Sequence, residues 1–252
     1  MIMRMRKKPN LVPRMERCSS LLEADPASVR GGWRDAYPGY SQLHLEIGCG
    51  KGRFTALTAQ DNPDVLLIAL EKVRDAMVVA MERVKERELN NVVFIDADAA
   101  GVNELFAPGE VDRIYINFCD PWPKSRDAKF RLTAPSFLRR YADILPLGGE
   151  IHFKTDNAAL FDWSVGVFSD ENWTVNELTH DLHSAGPTGV MTDYEMKFYS
   201  EGVKINRLVA VKTSETQCTS DGEPPRLRNA SLNDARGFEQ SVKDTYPEVT
   251  GK

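Results

Sequence analysis

The stretch from Leu43 to Gly52, Leu-His-Leu-Glu-Ile-Gly-Cys-Gly-Lys-Gly, limits what this chain can fold into more than any other segment. Its apolar residues alternate up to Ile47, as in a buried strand. Glycines then occupy every second position, and a helix is predicted to begin near Phe54. Glycine lets the main chain take positive φ and lets a ligand lie against it without meeting a Cβ. In an open α/β sheet, such a turn lies at the carboxyl end of the first strand, where ligands bind.

The spacing of the glycines favours one class of ligand. A dinucleotide fingerprint has glycine at its first, third and sixth positions, but the sixth position counted from Gly48 is Arg53. An acid after the second strand of such a sheet is where ribose hydroxyls are held. Acids stand at or after three predicted strands, at Glu46, Glu71 and Asp96. We therefore expect an adenosine-bearing ligand that needs no pyrophosphate cradle.

Composition sets the broad class. With 252 residues, of which 42% are hydrophobic and 27% charged, the chain can form one sizeable α/β domain with a real core. It has no apolar run long enough for a membrane span and no apolar leader, so we expect a soluble, cytoplasmic protein without membrane contact. The four cysteines and four histidines show no metal-ligand spacing, so neither a metal nor a disulfide framework is expected.

Strand and helix patterns alternate through the middle of the chain. Apolar residues recur at helical spacing between 73 and 89, where Met77 and Met81 are interpreted as a core-facing stripe. Strands are predicted at 111–118 and 151–154, separated by a helix at 133–145. This alternation predicts an α/β fold with a doubly wound, mostly parallel sheet covered by helices on both faces.

Two short segments are strongly basic, although the net charge of −5 gives no global signal for nucleic acid. Residues 1–17 contain six basic side chains against Glu16, without helical periodicity, and are interpreted as a basic arm. Residues 124–143 contain six against two acids. A solvated terminus remains an alternative for the first segment. Neutralisation of phosphates is the natural use of two such patches.

The segment Asp120-Pro121-Trp122 follows the fourth predicted strand, beside the glycine turn. Proline fixes the backbone, the indole offers a stacking face, and the carboxylate can accept hydrogen bonds from base N–H groups. Such a set can hold a planar heterocycle. The alternative is a strand-ending turn with a buried tryptophan.

Several motifs recur along the chain as a set: Glu46-x-Gly48-x-Gly50-Lys51-Gly52, Glu71, Ile95-Asp96-Ala97-Asp98, Asn117-Phe118-x-Asp120-Pro121-Trp122-Pro123-Lys124, Arg131-Leu132-Thr133, the segment 152–157, and Met191-Thr192-Asp193-Tyr194-Glu195-x-Lys197-Phe198. Together they resemble the bacterial tRNA (guanine-N7)-methyltransferases over roughly residues 3–212. The resemblance implies a class I methyltransferase fold, which is Rossmann-like, with a seven-stranded sheet and an antiparallel last strand. It also implies S-adenosylmethionine as methyl donor and N7 of a guanine in the tRNA variable loop, usually position 46, as acceptor.

The resemblance further implies which residues form the site. The donor ligands would be Glu46, Gly48, Gly50, Gly52, Glu71, Asp96 and Asp120. The substrate-binding residues would be Lys124, Asp156, Thr192, Asp193, Tyr194 and Glu195. This chain departs from the family at Asp127 and Phe130, where relatives usually carry basic or histidine residues. The domain organisation expected is a basic arm and lead-in at 1–40, a methyltransferase domain at 41–212 and a flexible tail at 213–252.

The chemistry of the acceptor shapes the mechanism that we expect. Guanine N7 has an in-plane lone pair and no hydrogen, so no strong base is needed. Asp120 is the candidate catalytic residue, as an acceptor for base N1–H or N2–H₂ that stabilises the cationic product. The target base would have to leave its stack.

Two other functions remain open at this point. The chain could methylate another nucleobase or an exocyclic amine, since Asp120-Pro121-Trp122 is similar to the Asp-Pro-Pro-Tyr loop of amino-methyltransferases. It could instead be a tRNA-binding protein without catalysis, although the complete glycine turn argues against this. Monomer and homodimer are both compatible with the sequence.

Overall fold

The computed structural model of the protein describes residues 7–219, which form one seven-stranded sheet between layers of helices. The strands are β1 (Gln42–Ile47), β2 (Val65–Leu70), β3 (Val92–Ile95), β4 (Arg113–Asn117), β5 (Glu150–Thr155), β6 (Thr174–Thr179) and β7 (Asn206–Val211). The helices are α1 (Leu11–Arg17), α2 (Trp33–Ala36), α3 (Arg53–Asp61), α4 (Arg74–Glu86), α5 (Val102–Leu105), α6 (Pro135–Ile144), α7 (Ala158–Asp170) and α8 (Asp193–Ser200).

The strand order across the sheet is β3-β2-β1-β4-β5-β7-β6. Neighbours from β3 to β5 pair in parallel, whereas β7 is antiparallel to both β5 and β6. The parallel pairing that the alternation of strands and helices predicts is therefore present from β3 to β5. The doubly wound, mostly parallel sheet with an antiparallel last strand is confirmed.

The central parallel strands end level with one another. Ile47 of β1 pairs with Leu70 of β2 and with Ile116 of β4, and Asn117 of β4 pairs with Lys154 of β5. Residues that directly follow these strands consequently meet at one border of the sheet, which we call the carboxyl edge. In parallel α/β sheets this is where ligands bind.

Apolar cores cover both faces of the sheet. On one face Met77 and Met81 of α4 are fully buried in a cluster with Phe94, so the predicted core stripe of α4 is confirmed. On the other face Phe161 of α7 packs in a cluster with Ile114 of β4. Strand residues alternate between these two cores because successive side chains point to opposite faces.

Residues 11–17 form α1, although the sequence shows no helical period there. No residue of α1 is fully buried, so its apolar residues leave no periodic signal. The helix is tied to α4 by Arg14, whose Nε donates to the Glu82 carboxylate at 2.7 Å. A pairing between residues so distant in the chain cannot be seen in a local pattern, which is why the helix was not predicted.

The tail expected at 213–252 lies mostly outside the described residues, as do residues 1–6 of the expected basic arm. Its first part, 213–219, is hydrogen-bonded to the end of α7 and the turn that follows. The Thr216 hydroxyl donates to the carbonyl of Asn172 at 3.0 Å, and the Gln217 amide donates to the carbonyl of Glu171 at 3.1 Å. Within 7–219, no helix is long and apolar enough to cross a membrane.

Candidate active site

The glycine turn connects β1 to α3 at the carboxyl edge. Gly52 has a φ of 73°, and a Cβ added there would lie 2.4 Å from the Cβ of Ala80 and 2.6 Å from its Cα. Only glycine therefore lets α3 begin this close to α4. Gly48 also has positive φ, but no atom lies within 4 Å of its added Cβ. Its main chain is thus open to a ligand rather than to another helix.

Glu71, the first residue after β2, fixes the shape of this turn. One carboxylate oxygen accepts from the Gly50 amide at 2.9 Å, and the other accepts from the Val73 amide at 2.9 Å. The side chain thereby joins the turn to the start of α4. A carboxylate that accepts main-chain N–H groups keeps further lone pairs, so Glu71 can still receive ribose hydroxyls.

A cavity of about 490 Å³ opens at the carboxyl edge beside the turn. It is lined by the main chain at Gly48, by Glu71, by the strand-ending segment 117–120, and by apolar side chains that include Leu132 and Phe137. Exposed main chain, an acid for ribose hydroxyls and an apolar wall for an adenine ring fit S-adenosylmethionine. The cavity therefore has the polar groups and the apolar wall that an adenosine-bearing ligand requires, and it lies where the sequence predicts a ligand site.

Of the acids after β3, the structure places Asp98 rather than Asp96 on the cavity wall. Asp96 pairs with Arg74 at 2.5 Å, outside the cavity lining. Asp98 caps the short 3₁₀ turn at 99–101 by accepting from the Ala100 amide at 2.9 Å, and this hydrogen bond helps to lower its pKa. Sequence analysis missed Asp98; the signal that could have found it is its place before a turn that needs an N-terminal cap.

Glu46, the other predicted donor ligand before the turn, lies beneath it and not on the cavity wall. Its side chain is 1% exposed and accepts from the Thr55 hydroxyl at 2.6 Å. Burial raises the pKa of Glu46 to about 7. In the structure this acid connects β1 to α3, so an influence on a bound donor would pass through the turn.

The segment from Phe118 to Trp122 carries backbone strain at the mouth of the cavity. Phe118 and Trp122 have φ values of 53° and 44°, in the region that bulky residues rarely adopt. Both line the cavity, as does the exposed Asp120 between them. Strain of this kind persists only where the surroundings impose it, and it concentrates at functional sites.

Arg131 constrains the Trp122 end of this segment. Its side chain is fully buried, and its Nε and Nη2 donate to the carbonyls of Pro121 and Trp122 at 3.1 and 3.0 Å. Its guanidinium also lies 4.3 Å from the ring centre of Trp163. Burial lowers the pKa of Arg131 to about 10. The prediction that Arg131 belongs to a basic, phosphate-facing segment is wrong. Arg131 is buried and is hydrogen-bonded to the strained segment.

The second basic segment, 124–143, is accordingly only partly a phosphate-facing patch. Arg139 is buried like Arg131, and its Nε donates to Glu171 at 2.7 Å. Lys124 and Arg126 are exposed, and Lys129 lies 5.1 Å from the ring centre of Phe130. Three of the six basic residues are therefore exposed, and Arg140 is half-buried.

The remaining predicted substrate residues lie on β5 and α8. Asp156 directly follows β5 and is exposed. Thr192 caps α8, where its hydroxyl accepts from the Glu195 amide at 2.9 Å and its own amide donates to the Glu195 carboxylate at 3.2 Å. Asp193 pairs with Arg83 of α4 at 2.6 Å, and Tyr194 is 45% exposed. Glu195 is thus buried, Tyr194 is exposed, and Thr192 and Asp193 are half-buried.

The strand histidines lie away from the cavity lining. His44 contacts the Tyr115 hydroxyl at 3.3 Å, and His152 contacts Glu150 at 2.8 Å. Burial lowers the pKa of both imidazoles to about 4, which keeps them neutral. Both histidines are thus packed, hydrogen-bonded residues of the sheet. Among residues 7–219, no three His, Cys, Asp or Glu side chains are grouped to hold a metal ion.

Comparison with known proteins identifies the class first. The protein-family model described as "Putative methyltransferase" matches residues 40–208, which include the glycine turn and the strained segment. The chain thus belongs to the methyltransferase class. A curated relative, the "tRNA (guanine-N(7)-)-methyltransferase" of Bacillus cytotoxicus, is 41% identical over 214 residues, or 84% of this chain and 99% of the relative. The chain belongs to the tRNA (guanine-N7)-methyltransferase family, and the resemblance drawn from its motifs is confirmed.

Solved structures share the fold at greater distance. The 16S rRNA methyltransferase KamB aligns with a TM-score of 0.56 at 16% identity, covering 73% of this chain and 93% of that chain. The aminoglycoside resistance methyltransferase NpmB1 aligns with a TM-score of 0.52 at 17% identity over the same shares. At such identities the likeness concerns the fold alone.

Proposed function

We propose that this protein transfers a methyl group from S-adenosylmethionine to N7 of a guanine in the variable loop of tRNA, usually position 46. One observation carries the proposal. Gly48 of the glycine turn, Glu71 and Asp120 line a single cavity at the carboxyl edge, in a chain 41% identical to a protein named for this reaction. Donor groups and acceptor groups are thus brought to one place.

The donor half of the cavity has the groups that adenosine needs. Glu71 would receive the ribose hydroxyls, and Asp98 would receive the adenine amino group beside the apolar wall at Leu132 and Phe137. The open main chain at Gly48 would lie along the methionine part. When bound, S-adenosylmethionine supplies a methyl group activated by its sulfonium sulfur. Glu46 and Asp96 would act on this ligand from behind the lining.

The acceptor half needs little acid–base chemistry. Guanine N7 attacks through its lone pair without losing a proton, so the proposed reaction requires neither a strong base nor a metal ion. The ring becomes cationic as the N7–methyl bond forms and the methyl–sulfur bond breaks. Asp120 would accept from N1–H or N2–H₂ and stabilise that charge, while alignment of the reacting atoms supplies the rest.

Contacts to tRNA would surround this half. Lys124 and Asp156 are exposed on the segments that follow β4 and β5, and Tyr194 is exposed on α8. Lys8 of the basic arm is held at the first turn of α4, where its amide donates to Asp75 at 2.5 Å. Phosphate contacts from such a ring of groups would orient the tRNA and leave the choice of base to the cavity.

The test is methyl transfer from labelled S-adenosylmethionine to unmodified tRNA transcripts that have or lack a guanine in the variable loop, followed by aniline cleavage. Cleavage at that guanine alone is expected. Asp120→Asn is expected to lower kcat about 100-fold, because one acceptor for the developing charge is weakened. Asp61→Asn, an exposed aspartate at the end of α3, serves as the matched control.

Two results would contradict the proposal. Label at a different base would make the protein another nucleobase methyltransferase. Binding of tRNA without any binding of S-adenosylmethionine by calorimetry would make it a binding protein.

A further inference from the structure

A buried ionic cluster lies behind the motif of α8. Glu195 is 0% exposed, and its carboxylate accepts from Lys154 Nζ at 2.6 Å and from His183 Nε2 at 3.1 Å. Lys154 and His183 are themselves buried. These three residues, which we call the α8 anchor, come from β5, from the loop after β6 and from α8.

The anchor also holds the loop between β6 and α8. Lys154 Nζ donates to the carbonyl of Val190 at 3.0 Å, and the Thr188 amide donates to Nδ1 of His183 at 3.2 Å. Since Nδ1 accepts a hydrogen bond, Nε2 is the nitrogen that donates to Glu195. His183 is therefore hydrogen-bonded to α8 through Nε2 and to the loop before α8 through Nδ1.

The burial and hydrogen bonds of Glu195 prevent its carboxylate from contacting RNA directly. Its carboxylate also accepts from the amide of Thr192 at 3.2 Å, which completes the cap of α8. With no exposed surface and three donors satisfied, this acid can act on tRNA only through the helix that it caps. Tyr194, the next residue back along the chain, is the exposed member of the motif.

We infer that Lys154, His183 and Glu195 are positioning residues for the tRNA substrate, holding the first turn of α8 at the carboxyl edge so that Tyr194 meets the RNA. This inference rests on the proposed function. Lys154 pairs with Asn117 at the end of β4, and Asn117 lines the cavity, so the anchor is attached to the strand next to the cavity wall. The anchor is expected to act on KM for tRNA and to leave donor affinity unchanged.

Stability alone is a weak reason for such a cluster. Apolar side chains of similar volume often replace a buried ion pair without loss of stability, whereas removal of one partner is costly. What an apolar replacement cannot reproduce is the cap that Glu195 provides to α8. The geometry of the first turn, rather than folding energy, is thus the property that these charges can supply specifically.

The experiment compares two substitutions of one residue. The amide nitrogen of His183→Gln can occupy the place of Nε2 and keep a hydrogen bond to Glu195, whereas His183→Asn reaches only the place of Nδ1. We expect His183→Asn to raise KM for tRNA about tenfold, as for a lost hydrogen bond to a charged group. His183→Gln is expected to stay within about threefold of the wild type. The dissociation constant for S-adenosylmethionine is expected to be unchanged in both.

A second variant separates positioning from stability. The double substitution Lys154→Met with Glu195→Leu removes both charges and keeps apolar packing, so Tm is expected to be closer to wild type than in Lys154→Met alone. KM for tRNA is expected to stay raised, because the cap of α8 is still missing. This variant also carries the test if His183→Asn fails to fold.

If the wild type methylates tRNA, any of three outcomes would overturn the inference. They are equal KM values for the two His183 variants, recovery of KM together with Tm in the double variant, or a loss confined to S-adenosylmethionine binding. Absence of tRNA methylation by the wild type would instead contradict the proposed function itself.

Discussion

The two halves of the cavity differ in how their polar groups are held. On the donor side, Glu71 and Asp98 accept hydrogen bonds from main-chain amides of neighbouring turns. On the acceptor side, Asp120, Lys124 and Asp156 are exposed, and their side chains make no hydrogen bond or ion pair with any residue between 7 and 219. One half is assembled in advance, and the other presents side chains ready for a partner.

This difference matches the two substrates proposed. A small ligand gains affinity from a site whose groups already stand in place, because less ordering is needed on binding. A tRNA brings many phosphates and base edges of its own and can satisfy exposed side chains as it docks. Substitutions on the donor side should therefore change folding stability together with donor binding. Substitutions of the exposed residues on the acceptor side should change tRNA binding or turnover and leave folding stability unchanged.

The largest expected effect comes from the donor side, with Gly52→Ala. The added Cβ would meet Ala80 at 2.4 Å, and the residue would keep a φ of 73°. We expect the free energy of unfolding to fall by about 3 kcal/mol or more, measured by urea denaturation. Gly50→Ala is the matched control, since it has positive φ but no atom within 4 Å of the new Cβ. It should lose only about 1–2 kcal/mol, from backbone strain. Equal losses would mean that packing against α4 is not what requires Gly52.

The next prediction compares one acid from each half. Glu71→Gln leaves one main-chain amide facing an NH₂ group, so we expect a loss of about 1–3 kcal/mol in unfolding free energy and weaker binding of S-adenosylmethionine. Asp120→Asn should change unfolding free energy by less than about 0.5 kcal/mol, because the side chain is exposed and unpaired within the described chain. Denaturation and calorimetry on both variants test the contrast. A similar loss of stability in the two variants would remove the distinction between the halves.

The same contrast explains what the sequence could predict. The strand, the glycine turn and the helix that follows leave strong local signals, so β1, α3 and the place of Glu71 follow from the pattern of residues. Asp98 was not chosen over Asp96, because the choice depends on recognising the 3₁₀ turn at 99–101 that only Asp98 caps. Prediction therefore succeeds where main-chain geometry is encoded locally.

The burial of charged residues was harder to predict from the sequence. The local sequence does not distinguish Arg131 from its exposed neighbour Lys129. Arg131 is nevertheless fully buried, because the carbonyls of a strained turn accept its hydrogen bonds. Glu195 is likewise an acid in a polar motif, but its donors come from Lys154 and His183, which are distant in sequence. Burial of a charge depends on partners brought together by the fold, and no local pattern records them.

The last prediction concerns Glu46 and tests whether this buried acid beneath the donor half changes its protonation state with pH. Burial raises the pKa of this acid from 4.5 to about 7 in the folded protein. Between those values the folded state holds a proton that the unfolded state has lost, so stability is lost as pH rises through this range. Glu46→Gln removes that dependence. The unfolding free energy of the variant relative to wild type should increase from pH 4.5 to 7 and then level off, as measured by urea denaturation.

His44 and His152, with pKa values lowered to about 4, change stability in the opposite direction, but equally in both proteins. The exposed Glu104 provides the control, since Glu104→Gln should give a flat difference. A flat difference for Glu46→Gln as well would show that this acid is ionised in the folded protein, and the turn would then rest on a charge rather than on a protonated acid.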